Sequence, residues 1–132
     1  MTDLKIEGSK GTFFIPSVSL EASSGKCEIS GESYLEDTMK FYGPIIKWFD
    51  EYAVTNPNGQ IELKMKLHYF NTSSSRALSL MLQTLKTFEQ NGGDVTVVWY
   101  HRPDDDDMIE EIEDFIEETG LDVILFPEAG EY

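Results

Sequence analysis

The sequence predicts an α/β fold, a mixed β-sheet with helices mainly on one face. Three observations carry this. Ile61-Glu62-Leu63-Lys64-Met65-Lys66-Leu67-His68-Tyr69 alternates apolar and polar residues, the pattern of a strand with one buried face. From there to the end, strand and helix patterns take turns, which makes for parallel strands joined by right-handed crossovers. Lys64, Lys66 and His68 then occupy the second face of the central strand, where a sheet covered by helices on both sides would not accept them.

In chain order, Leu4-Lys5-Ile6 opens a short strand, broken by Gly8 and Gly11, and Thr12-Phe13-Phe14-Ile15 forms another, ended by Pro16. Val18–Ala22 and Cys27–Ser30 both alternate around Ser23-Ser24-Gly25-Lys26, which predicts a hairpin. Gly31 to Asp37 reads as a loop, with Glu36-Asp37-Thr38 supplying capping candidates. Met39, Tyr42, Ile46, Phe49 and Ala53 keep helical spacing across Gly43-Pro44, so one helix broken at the proline is expected. Asn56-Pro57-Asn58-Gly59 turns the chain into the central strand. A second helix runs from Ala77 to Gln90, with Leu78, Leu82 and Leu85 on one face and Met81 and Phe88 beside them, and stops at Asn91-Gly92-Gly93.

Asp94–Tyr100 is the most apolar strand and belongs inside the sheet. Asp104 to Asp107 lead into an amphipathic helix carrying Met108, Ile109, Ile112, Phe115 and Ile116, which ends at Gly120. Acidic residues there complement the helix dipole, so this run reads as a solvated cap and not as a cation site. Asp122 to Phe126 makes the last strand, with Pro127 to Tyr132 as a tail. No repeat or linker divides the chain, and residues 1–132 are expected to form a single domain.

Composition limits the function. A formal net charge of −15 at pH 7 is repelled by nucleic acid and by anionic membrane surfaces. A lone cysteine, Cys27, permits no internal disulfide and no multi-cysteine metal site. No apolar run approaches the ~20 residues of a membrane span, and the first residues lack a signal-peptide core, so a cytoplasmic domain is expected. His68 and His101 alone do not make a metal site. There is no glycine-flanked nucleophile and no phosphate-binding glycine loop, so neither catalysis nor a cofactor is expected.

The informative stretch is Tyr69-Phe70-Asn71-Thr72-Ser73-Ser74-Ser75-Arg76, where the central strand hands over to the second helix. A helix start gathers unpaired N–H groups and a positive dipole end. One Asn, Ser or Thr would serve as the cap, worth ~1 kcal/mol. Four consecutive hydroxyl residues exceed that need and point to a modifiable hydroxyl. A phosphate would suit this position, and Arg76 could neutralise part of it. An alternative is a small ligand-binding or enzymatic domain using the open sheet face near Lys64, Lys66 and His68.

The motif Tyr69-Phe70-Asn71-Thr72-Ser73-Ser74, with Arg76-Ala77 after it, resembles that of the SiaC family of bacterial regulatory phosphoproteins, which are STAS-like and similar to anti-sigma factor antagonists. Gly31-Glu32-Ser33-Tyr34-Leu35-Glu36-Asp37, Trp99-Tyr100 and Asp105-Asp106-Asp107-Met108 extend the likeness over essentially the whole chain. It is weaker at Gly43-Pro44 and His101-Arg102-Pro103. The resemblance implies a STAS-like domain without catalytic activity. It implies that Thr72, with Ser73 as second choice, is phosphorylated by a dedicated kinase and released by a PP2C-type phosphatase. It further implies that the unphosphorylated form binds a diguanylate cyclase, in cyclic-di-GMP and biofilm control. Tyr69, Phe70, Asn71, Ser74 and Arg76 are then the expected partner-binding residues.

Overall fold

The strand at the centre of the sheet is also its longest. In the computed structural model, which describes residues 1–129, it is β6 (Gln60–Phe70). Before it come β1 (Leu4–Ile6), β2 (Ser9–Lys10), β3 (Phe14–Ile15), β4 (Ser17–Leu20), β5 (Lys26–Ser33) and α1 (Thr38–Thr55). After it come α2 (Thr72–Gln90), β7 (Asp94–His101), α3 (Asp106–Thr119) and β8 (Val123–Pro127). The expected tail beyond Pro127 lies in part outside the described residues.

Six strands form one sheet in the order β1-β4-β5-β6-β7-β8. β1, β4 and β5 pair antiparallel, and β5 through β8 pair parallel, so the sheet is mixed as expected. Because each crossover from β5 onward steps to the next strand in the same direction, right-handed connections put α1, α2 and α3 on one face. Burial agrees. Ile61, Leu63, Met65 and Leu67 of β6 are buried with Val97 and Trp99 of β7, while Glu62 and Lys64 are exposed on the opposite face.

The hairpin forms, but β5 runs past its expected end to Ser33, into the stretch read as a loop. Gly31 makes this possible. Its φ of +107° is one that glycine adopts without strain, and it lies at the point where the register with β6 shifts. Gly31 pairs with Leu67 but Glu32 pairs with Tyr69, so His68 is the extra residue of a bulge on β6. The alternation therefore changes phase. Tyr69, on the buried side of the sequence pattern, points outward, and Phe70 takes the inward place.

β3 falls within the strand expected over Thr12–Ile15, and it pairs with β2, which the sequence did not suggest, in a small separate ribbon; Phe14 of β3 bridges to Tyr34. α1 runs unbroken through Pro44. The missing N–H leaves only the Lys40 carbonyl without its helical partner, at an exposed position where water can serve it. The buried stripe of α1 is Tyr42, Ile45, Trp48, Phe49 and Tyr52, while Met39 is exposed. No helix among the described residues is long and apolar enough to cross a membrane.

Candidate functional site

The ladder between β5 and β6 ends where Asn71 N–H donates to the Ser33 carbonyl at 3.1 Å. Asn71 then takes an extended conformation, and its Oδ1 accepts from the Ser74 N–H at 3.0 Å. Asn71 is thus the cap of α2, and none of the four hydroxyl residues is needed for capping. Asn71→Ala should lower stability by about 1 kcal/mol in chemical denaturation, the usual loss on removing such a cap.

The hydroxyls are far from equivalent. Ser74 lies on the stripe that continues through Ala77, Leu78 and Met81, and it is fully buried. Its Oγ is 2.8 Å from Ser33 Oγ, which is 2.7 Å from the Tyr42 hydroxyl, and it donates to the Ser33 carbonyl at 3.3 Å. Burial pushes the Tyr42 phenol up to about 12, so it enters this network neutral. Ser73 is exposed, but its Oγ is 2.8 Å from Thr38 Oγ1, which ties the first turn of α2 to the first turn of α1. Ser75 is half-buried. Thr72, the first residue of α2, is exposed, and its hydroxyl has no hydrogen-bond partner among the described residues.

Beside this helix start lies an open groove of about 940 Å³, lined chiefly by Phe13, Ile15, Leu35, Met39 and Phe41, with Ser73 at its wall. Tyr34 stacks on Phe13, with ring centroids 5.8 Å apart. Little in the residue pattern announces this groove. It depends on β3 bridging to Tyr34 and on Met39 falling outside the core stripe of α1.

The residues grouped as partner contacts separate into two sets. Tyr69 and Arg76 are exposed, Asn71 is half-exposed, and Arg76 has no ion pair among the described residues. Phe70 is only 8% exposed, with its ring 6.0 Å from Trp99 and 5.8 Å from Phe115. Phe70 and Ser74 therefore support the helix start from beneath and offer no outer surface.

Over residues 6–127 the sequence matches the SiaC family regulatory phosphoprotein family. The chain belongs to that family. An uncharacterised protein of Pseudomonas aeruginosa strain UCBPP-PA14 is 29% identical over 123 residues, 92% of this chain and 93% of the relative. The crystal structure of apo-SiaC from Pseudomonas aeruginosa superposes with a TM-score of 0.82 at 28% identity, over 95% of this chain and 98% of that one. A second structure, SiaC of Pseudomonas aeruginosa, gives a TM-score of 0.84 at 26% identity over 97% of this chain and 100% of that one. A chain from the crystal structure of the diguanylate cyclase SiaD in complex with its activator SiaC, from the same species, gives 0.86 at 26% identity over 96% of this chain and 100% of that one.

Elsewhere in this SiaC-family chain the other candidate residues have ordinary partners. Lys66 lies 3.5 Å from Glu28 and over the Tyr100 ring, while His68 is 2.8 Å from Glu32. Lys64 lines a hollow of about 300 Å³ with residues of β4 and β5, whereas His68 belongs to a different cleft beside Tyr69 and Glu111. The three do not converge on one pocket. His101 is buried, with Nδ1 2.8 Å from the Arg102 carbonyl. Asp105 caps α3 by accepting from the Met108 N–H at 3.1 Å, as the acidic run suggested. Burial pushes the Cys27 thiol up to about 12, so it packs as a small apolar group. Among the described residues no three His, Cys, Asp or Glu side chains are disposed to hold a metal ion.

Proposed function

We propose that this chain is a non-catalytic signalling switch, acting as one cytoplasmic domain, whose state is set by a phosphate on Thr72. A partner kinase adds the phosphate, a PP2C-type phosphatase removes it, and the unphosphorylated form docks on a diguanylate cyclase and raises its activity. Membership of a family of regulatory phosphoproteins and the similarity to SiaC, the activator of SiaD, support this reading. The observation that carries the choice of residue is the state of its hydroxyl. Thr72 is exposed and unbonded, while Ser73 is tied to Thr38 and Ser74 is buried.

Physically, a phosphate adds about −1.5 to −2 charges and three strong acceptors. At the first residue of a helix these meet the positive dipole end, so the domain stays folded. The docking surface, formed by Tyr69, Asn71, Arg76 and the apolar groove, gains a strongly hydrated dianion at its border. Arg76 can offset only part of that charge, so a partner must strip the hydration of the remainder, and binding weakens.

Kinase treatment followed by mass spectrometry tests the assignment. We expect one phosphate, on Thr72, and loss of cyclase binding by the wild type. Thr72→Ala should remain able to bind after the same treatment. Phosphate placed outside Thr72 and Ser73, or a treated Thr72→Ala protein that releases the cyclase, removes the proposal.

A further inference from the structure

The starts of α1 and α2 are neighbours because the strands before them are. β5 and β6 pair in parallel as far as Ser33 and Phe70, so the chain leaves both at the same end of the sheet. Ser33 then fixes how close the two helices come. Its Oγ lies 2.7 Å from the Tyr42 hydroxyl of α1 and 2.8 Å from Ser74 Oγ of α2. Above this buried link, Thr38, the first residue of α1, holds its Oγ1 2.8 Å from Ser73 Oγ.

The hydroxyl protons give this clasp a direction. A hydroxyl has one proton to donate and two lone pairs to accept with. Asn71 Oδ1 can only accept, and Ser73 donates to it at 3.3 Å. Thr38 is therefore the donor to Ser73. The Asn71 oxygen is itself fixed, because it also takes the Ser74 N–H at 3.0 Å as the cap of α2. Ser73 Oγ is thus pinned on both sides, whereas the Thr72 hydroxyl has no hydrogen-bond partner among the described residues.

Phosphoryl transfer needs an acceptor oxygen that can turn. That oxygen bonds to the γ-phosphorus of a nucleoside triphosphate while the bond from phosphorus to the β–γ bridging oxygen breaks. The nucleoside diphosphate leaves, and the hydroxyl proton passes to a base on the kinase. Attack requires the oxygen in line with the leaving group. Turning Ser73 into that line costs its bond from Thr38.

We propose that Thr38 is a specificity-determining residue of the switch: by holding Ser73, it confines the kinase's phosphate to Thr72. The inference rests on the phosphorylation of Thr72 proposed above. Thr38 is 35 positions from Ser73 in sequence and on another helix, so no motif around the acceptor contains it. Two adjacent hydroxyls that both face solvent are thereby made unequal.

Thr38→Val, which removes the hydroxyl at nearly the same shape, and Thr38→Ser, which keeps it, test the proposal. Asp37 and not Thr38 caps α1, so both variants should fold. Each is treated with the kinase and ATP, and phosphate on Ser73 and Thr72 is compared over time by mass spectrometry. Wild type and Thr38→Ser should carry it on Thr72. In Thr38→Val the share on Ser73 should rise about threefold to tenfold, the factor that one hydrogen bond is worth. Thr72→Ala should take phosphate slowly on Ser73, and faster once Thr38→Val is added. A wild type phosphorylated on Thr72 whose ratio survives Thr38→Val, or a Thr38→Ser protein that behaves like Thr38→Val, overturns the inference and leaves the Thr72 assignment standing. Wild-type phosphate on neither residue removes that assignment, and the inference with it.

Discussion

Phe70→Ala should lower stability by about 3–5 kcal/mol, the usual loss when a buried phenylalanine is truncated. The ring packs against both Trp99 of β7 and Phe115 of α3, which stack on each other at 5.7 Å, so the three rings form one aromatic cluster. Removing it leaves a cavity at the junction of strand, helix and sheet, and the remaining aromatics are too constrained by neighbours to close it. Urea denaturation measures the effect through the midpoint at unchanged slope. Were Phe70 instead a surface contact for the partner, the midpoint would hold and only partner affinity would fall. Tyr69→Ala supplies the contrast. Its ring is 45% exposed, so the midpoint should move little.

The opposite fates of these two neighbours show where the sequence stops being legible. Alternation from Ile61 to Leu67 reads correctly, because one face of β6 packs under the helices and the other meets solvent. The pattern fails at Tyr69 because the bulge at His68 is decided by pairing with β5, whose register shifts after Gly31. Nothing local to β6 carries that information. Ser74 is the reverse case. It stands three and four residues before Ala77 and Leu78 and seven before Met81, so helical spacing already places it on the buried stripe. Its burial was readable, and only its hydroxyl disguised it. The groove beside α1 was not readable, since it needs Phe14 and Tyr34, twenty positions apart in sequence, to meet. The parallel order of β5 to β8 followed from the helices between them, whereas β2, the partner of the expected strand at β3, is only two exposed residues long and too short to leave a pattern.

A negative charge should be accepted at Thr72 and refused at Ser74. Thr72→Asp puts a carboxylate at an exposed helix start, where the dipole favours it by about 0.3–1 kcal/mol, so stability should hold or rise slightly. Ser74→Asp puts the same group into a fully buried space already occupied by Ser33 and Tyr42. Those hydroxyls can turn to donate to it. Even so, the donation from Ser74 to the Ser33 carbonyl is lost and the larger side chain must displace packed neighbours. A buried, partly compensated charge costs several kcal/mol, and the midpoint of urea denaturation should fall accordingly. Equal stability of the two variants would mean that the Ser33–Tyr42–Ser74 network imposes no selection. In that event the distinction between outer and inner hydroxyls could not be what directs the proposed phosphate to Thr72. A large gap between them means that the protein can carry a phosphate there without unfolding only on its outer hydroxyls. The clasp between Ser73 and Thr38 then leaves Thr72 as the position where the modification disturbs no existing bond.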